Sequence, residues 1–183
     1  MHKILVVVDM QNDFITGALG NEDCKKVVSK VVDVIRTGDY DEVYLTRDTH
    51  SDDYLNTQEG RKLPVVHTQV DTQGWQIHTD VMQAVNDTYE SGKIHMINKP
   101  SFGSMELLND IKNLAKDYAA DGLQVDFAGV CTGICVISNV LPAKMAAPEA
   151  IVRVIAHACA CVSPESHRTA IEAMRTCQVD IVE

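Results

Sequence analysis

The sequence predicts an α/β protein: a three-layer α/β/α arrangement with a mostly parallel six-stranded sheet and helices on both faces. Three observations predict it. Short apolar runs alternate with helical patterns along the chain, the order that builds a parallel sheet through crossovers. The runs are apolar almost without interruption, as in strands buried on both faces. The chain has 183 residues and is 45% hydrophobic, enough to fill a core without disulfides. One domain over residues 1–183 is expected.

The elements follow in order. Lys3–Asp9 (KILVVVD) reads as a buried strand, and Glu22–Thr37 carries its valines and isoleucine at helical spacing. Glu42–Arg47 (EVYLTR) is a second strand, His78–Tyr89 a helix and Lys93–Asn98 (KIHMIN) a third strand. Ser104–Ala120 is a long helix with Ser101 or Ser104 available as its cap. Gln124–Val130 (QVDFAGV) is a fourth strand, and Thr132–Ala146 a helix of small and apolar residues that stops before Pro148. Ala150–Ile155 is a fifth strand. Pro164–Thr176 is a helix, with Ser163 placed to cap it and Pro164 in its first turn. Val179–Val182 is the last strand.

Composition narrows the partners. The formal net charge is -10 and the pI about 5.0, so the surface repels phosphate backbones and no nucleic-acid partner is expected. No apolar run approaches the roughly 20 residues that span a bilayer. The apolar stretch Ile4–Val8 ends in Asp9 and has neither a long apolar region nor a cleavage site of the secretory kind. A cytoplasmic protein with no membrane partner is expected. Its six cysteines are then reduced thiols, and Cys24, Cys159, Cys161 and Cys177 read as small buried hydrophobes.

In open α/β sheets, ligands bind beyond the carboxyl ends of the strands. The first strand ends in Asp9, the second in Arg47-Asp48-Thr49-His50 and the third in Asn98-Lys99-Pro100. The fourth leads through Gly129-Val130-Cys131-Thr132-Gly133-Ile134 to Cys135. An acid, a pair of metal-type ligands, a lysine and a cysteine therefore meet on one rim. Cys135 falls in the first turn of a helix, where unpaired N–H groups and the helix dipole lower a thiol pKa, and Lys99 adds positive charge. Asp9 is placed to accept the thiol proton. Spacing alone leaves Cys135 equally open to two descriptions, a buried core thiol or a nucleophile.

At these residues the chain resembles the isochorismatase-like cysteine hydrolases, a family that includes nicotinamidases. VVDMQNDFITGALG is similar to the family's opening strand and loop, INKPSFGS to its lysine segment and GVCTGICV to its nucleophile segment. The resemblance runs over nearly the whole chain. It implies a catalytic triad of Asp9, Lys99 and Cys135, and a cis peptide between Val130 and Cys131. It also implies an oxyanion hole made by the Cys131 and Cys135 amides, and a homo-oligomer. One position departs from the pattern: Gly133 stands where the family usually has aspartate.

Asp48, His50 and His67 form a D-x-H…H set. Alternate residues of an extended segment point the same way, and His67 returns from the loop holding Leu63-Pro64. Two imidazoles and a carboxylate suit Zn²⁺, with Fe²⁺ or Mn²⁺ as alternatives. Nicotinamidases bind a metal through this pattern, so the resemblance favours ligation over solvated loop histidines. Glu59 is a fourth candidate. Phe14, Trp75 and Val130 are candidates for the pocket wall, the two aromatics flanking a flat ring.

The expected reaction is hydrolysis of a small amide through a thioester, with nicotinamide to nicotinate and ammonia as the leading case. The alternatives are a metal-free hydrolase of isochorismate, N-carbamoyl or ureido compounds, a catalytically silent binding domain, and a redox sensor that would form a Cys131–Cys135 disulfide.

Overall fold

The computed structural model describes residues 1–183. Strands β1 (His2–Val8), β2 (Glu42–Asp48), β3 (Ile94–Lys99), β4 (Leu123–Val130), β5 (Ile151–Ala160) and β6 (Asp180–Val182) form one sheet. The spatial order is β3-β2-β1-β4-β5-β6, and every neighbouring pair is parallel. The sheet is thus wholly parallel rather than mostly so. Each strand returns through a crossover, which leaves no hairpin to supply an antiparallel pair. The helices are α1 (Asn12–Ile15), α2 (Glu22–Thr37), α3 (Gln58–Lys62), α4 (Thr79–Thr88), α5 (Met105–Asp117), α6 (Ile137–Ala146) and α7 (Pro164–Thr176). None is long and apolar enough to cross a membrane.

Side-chain alternation along β1 divides the core between the two faces. Ile4, Val6 and Val8 join Leu107 and Ile111 of α5, Val140 of α6 and Ile171 of α7. Leu5 and Val7 join Val28, Val31 and Ile35 of α2 with Val81 and Val85 of α4. The uninterrupted valines of β1 thus reflect burial on both sides. Each such side chain contributes about 1.5–3 kcal/mol on leaving water.

The helix starts follow local chemistry. Ser104, not Ser101, caps α5 by accepting the Leu107 N–H at 3.1 Å. Ser163 caps α7 in a reciprocal box with Ser166, and Pro164 occupies the first turn. The expected helix over 132–146 begins instead as a π-helical turn, Thr132–Val136, before α6, and Pro142 lies inside α6. The expected fifth strand is longer, reaching Ala160, because its pairing with β4 shifts register between Phe127 and Gly129 and then resumes. Gly129 permits this. It has φ +120°, and a Cβ there would lie 2.2 Å from the Val8 carbonyl oxygen.

One buried charge supports the sheet interior. Asp126 of β4 is fully buried and accepts from Arg153 Nε and the Tyr40 hydroxyl, each at 2.7 Å. Arg153→Met would leave that carboxylate without its counter-charge. We expect a loss of about 3 kcal/mol in urea unfolding, the lower end for a broken buried pair because Tyr40 remains. For a chain of this length that lowers Tm by about 6–12 °C.

Candidate active site

The strand order reverses between β1 and β4, and the crevice at such a switch point is where open α/β sheets bind ligands. Register brings the rim residues level: Val8 pairs with Thr46 on one side and Gly129 on the other, and Asp48 pairs with Lys99. Asp9 follows β1 in a left-handed conformation, φ 47°. An aspartate tolerates that region better than most residues. Its amide donates to the Thr46 carbonyl at 3.2 Å, and Oδ1 accepts the Thr46 hydroxyl at 2.7 Å.

Lys99 is fully buried among acids. Its Nζ lies 2.7 Å from Asp9 Oδ2, 3.2 Å from Asp48 Oδ1 and 3.6 Å from Cys135 Sγ, and it donates to the Ser101 carbonyl at 3.0 Å. Burial alone would neutralise this lysine, but Asp9, Cys135 and Asp48 raise its pKa and keep it charged. Asp9 Oδ2 takes no well-angled hydrogen bond, although Lys99 is so close. Burial pushes the Asp9 carboxyl up, and Lys99 offsets that only in part.

Cys135 does not match the expected depressed pKa. Burial and the neighbouring Asp9 push its thiol well above the ordinary range, outweighing Lys99. A helix dipole lowers a thiol pKa in an exposed first turn, whereas Cys135 is 5% exposed. At rest the sulfur therefore keeps its proton, with a raised carboxyl beside it.

The peptide between Val130 and Cys131 is cis. The Cys131 carbonyl accepts from the Ile134 and Val136 amides, and the Cys131 amide donates to no protein group. Asn139 fixes the far side of the turn. It donates to the Cys135 carbonyl at 2.7 Å and to the Phe102 carbonyl at 3.2 Å, and accepts from the Ser104 amide at 2.9 Å. Its place four residues after Cys135, in a helix of mostly small and apolar residues, was the available sequence signal. Gly133 is not forced by crowding: a Cβ would meet only ordinary contacts, at 3.5 Å or more.

Beside this triad, donor atoms of Asp48, His50 and His67 lie within 4.8 Å of one another, all on buried residues. His50 Nε2 is 2.8 Å and His67 Nε2 3.6 Å from Asp48 Oδ2. His67 Nδ1 is 2.7 Å from the Val65 carbonyl, which makes Nδ1 the protonated nitrogen and turns the Nε2 lone pair inward. His50 Nε2 is buried without a hydrogen bond. An orphaned imidazole nitrogen, an oriented partner and a carboxylate fit a divalent cation. The charge balance agrees, since Asp9 and Asp48 face the single ammonium of Lys99. Glu59 Oε1 lies 3.7 Å from His50 Nε2, at the edge of the set.

A cavity of about 220 Å³ opens over these groups, walled by Phe14, Asp48, His67, Cys131, Ile134 and Cys135, with Glu59 also on its wall. Phe14 sits edge-on to the His67 ring at 5.6 Å. Trp75 and Val130 do not line it. The Trp75 indole donates to Thr49 Oγ1 at 2.8 Å and lies 3.7 Å beneath the Arg47 guanidinium, which holds it outside the pocket. The Val130 side chain packs into the α2 side of the core. Sequence reasoning missed Phe102, which lies within the INKPSFGS segment three residues after Lys99, and Val162, which follows β5. It also missed Gln11, which accepts the Asp48 amide at 2.7 Å and donates to the Trp75 carbonyl at 2.8 Å.

Comparison with known proteins gives the same fold. The chain is similar to a nicotinamidase from Bacillus subtilis, at 21% identity, TM-score 0.81 and full coverage of both chains. It is similar to a pyrazinamidase/nicotinamidase from Streptococcus mutans, at 19% identity and TM-score 0.83, over 98% of this chain and 99% of that one. A pyrazinamidase of Pyrococcus horikoshii in complex with zinc shares 25% identity, TM-score 0.76, with 100% and 99% covered. No curated protein matches the chain in sequence. The sequence profile of the Isochorismatase domain matches residues 3–183. The chain belongs to the isochorismatase-domain family.

Proposed function

We propose that the protein is a cysteine amidohydrolase that cleaves nicotinamide, or a close pyridine- or pyrazine-type amide, to the carboxylate and ammonia. The observation that carries this is the convergence of Asp9, Lys99 and Cys135 on a small cavity beside the Asp48–His50–His67 set. A volume of about 220 Å³ suits a single ring. It falls below the ~300–1,000 Å³ typical of drug-sized ligands. The nicotinamidases and pyrazinamidases among the structural neighbours support the same substrate class.

The steps follow from the protein's own groups. Asp9 takes the thiol proton from Cys135, and the sulfur attacks the amide carbon. The oxyanion is held by the Cys131 and Cys135 amides, each donor typically worth about 2.7–4 kcal/mol of barrier. Asp9 returns the proton to the departing ammonia, leaving a thioester on Cys135. Asp9 then removes a proton from water, which attacks the thioester and releases the acid. Lys99 stays charged throughout and offsets the two carboxylates. Phe14 and Ile134 flank the ring and exclude water. Asp48, His50 and His67 would hold a divalent ion, zinc first, that orients the ring nitrogen or the water.

An ammonia-release screen tests the substrate. Nicotinamide and pyrazinamide are expected to turn over and simple aliphatic amides not. Turnover restricted to N-carbamoyl or ureido compounds would replace this assignment. The metal is tested on protein purified without chelators. About one equivalent of Zn, Fe or Mn is expected by elemental analysis. His67→Ala should weaken its retention by more than the roughly 10–100-fold cost of losing a mere supporting group.

A further inference from the structure

Asn139 of α6 stands beside the nucleophile without a part in the proposed hydrolysis, and it is 4% exposed. Its Nδ2 donates to the Cys135 carbonyl at 2.7 Å and to the Phe102 carbonyl at 3.2 Å, and its Oδ1 accepts the Ser104 amide at 2.9 Å. Both amide hydrogens and the oxygen are therefore engaged. The orientation follows, since exchanging oxygen and nitrogen would set the oxygen against two carbonyls.

These partners belong to the two segments that build the site. Cys135 lies in the π-helical turn, and Phe102 and Ser104 lie in the connection from β3 to α5. That connection begins directly after Lys99, whose Nζ donates to the Ser101 carbonyl at 3.0 Å. It also carries Phe102, which walls the cavity. A second contact presses the connection onto α6. A Cβ on Gly103 would stand 2.6 Å from the carbonyl oxygen of Ser138, the residue before Asn139, so the two backbones meet at a distance that glycine permits. The 3.6 Å spacing of Cys135 Sγ from Lys99 Nζ is thus held across this joint.

We propose that Asn139 is a positioning residue with two separable arms. One arm holds the Cys135 carbonyl and so aims the sulfur and the Cys135 amide. The other holds the backbone from Phe102 to Ser104 and so sets the cavity wall. The arms act on different kinetic constants. Misplacing the nucleophile by about 1 Å costs on the order of a hundredfold in kcat. A wall that recedes by about one methylene loses binding shared by the ground and transition states, on the order of tenfold, and raises KM. The kinetic part rests on the function proposed above; the closure of the two segments over Cys135 does not.

Ammonia release by purified variants tests the kinetic part, and iodoacetamide labelling read by peptide mass spectrometry tests the closure. Asn139→Ala loses both arms. Its kcat should fall on the order of a hundredfold and its KM rise about tenfold. Asn139→Thr keeps the first arm. A threonine hydroxyl in a helix bonds the carbonyl four residues earlier, here that of Cys135, and is too short to span to Phe102 and Ser104. It should recover kcat to within about threefold while KM stays raised. Gly103→Ala disturbs the second arm with every polar group intact, so it carries the test if Asn139→Ala fails to fold, and it should raise KM in the same way. In Asn139→Ala and Gly103→Ala, Cys135 should label faster relative to Cys177, which is exposed rather than buried. Folded variants whose kcat, KM and labelling match the wild type would overturn the proposal, whatever the fall in Tm. So would an Asn139→Thr variant that recovers KM together with kcat, or neither. A wild-type protein that hydrolyses no amide would reject the assigned reaction, and the labelling ratio would then decide the closure alone.

Discussion

Cys135→Ala is expected to reduce kcat by on the order of 10⁴–10⁶ and to leave stability within about 2 kcal/mol. The kinetic figure follows from the behaviour of nucleophiles that act with a base as one unit. The remaining oxyanion donors and binding contacts then supply only a residue of catalysis. The stability figure follows from the site. Cys135 is a buried thiol packed beside Val136 and Val140, and alanine removes one sulfur from that wall. The thiol's raised pKa keeps it neutral beside Asp9, so alanine strips no charge from the carboxyl's surroundings. Steady-state ammonia release and urea unfolding on the same preparation check both halves. A variant that lost activity by unfolding would show in the second measurement.

Lys99→Met should produce the opposite balance, with a large stability loss and a large activity loss. The lysine is the one ammonium facing both Asp9 and Asp48, at 2.7 and 3.2 Å, and all three side chains are buried. Removing one partner of a buried pair leaves an uncompensated charge and typically costs about 3–5 kcal/mol. For this chain length that is a fall in Tm of about 6–20 °C, read by calorimetry. Adding Asp9→Asn to Lys99→Met removes one of the stranded charges and should recover part of the stability with none of the activity. The double variant thus separates the electrostatic support given by Lys99 from the proton transfer assigned to Asp9.

The parts of this site visible in the sequence share a physical origin. Asp9, Asp48, Lys99 and Cys135 each follow or end an apolar run, and parallel strands deliver their carboxyl ends to one rim. Asp48 and His50 were legible because alternate residues of an extended segment face the same way. What the alternation of elements does not encode is lateral order. The sequence neighbours β3 and β4 lie apart in the sheet, with β2 and β1 between them. The switch point over Asp9 therefore emerges only in three dimensions.

Burial was similarly hidden. A helix dipole lowers the pKa of a thiol in an exposed turn, but at Cys135 Asn139 and the Phe102 segment close over the turn, and desolvation prevails. Trp75 lies outside the pocket for a local reason: Arg47 at the end of β2 and Thr49 just after it offer a cation and a hydroxyl that the pocket does not.

The most direct test of the account is rapid acid quench during turnover of nicotinamide, followed by peptide mass spectrometry of the cysteine-containing fragments. The account predicts a pyridine-3-carbonyl group on the Cys135 sulfur and on no other thiol. Steady ammonia release with every Cys135 recovered as a free thiol would contradict it.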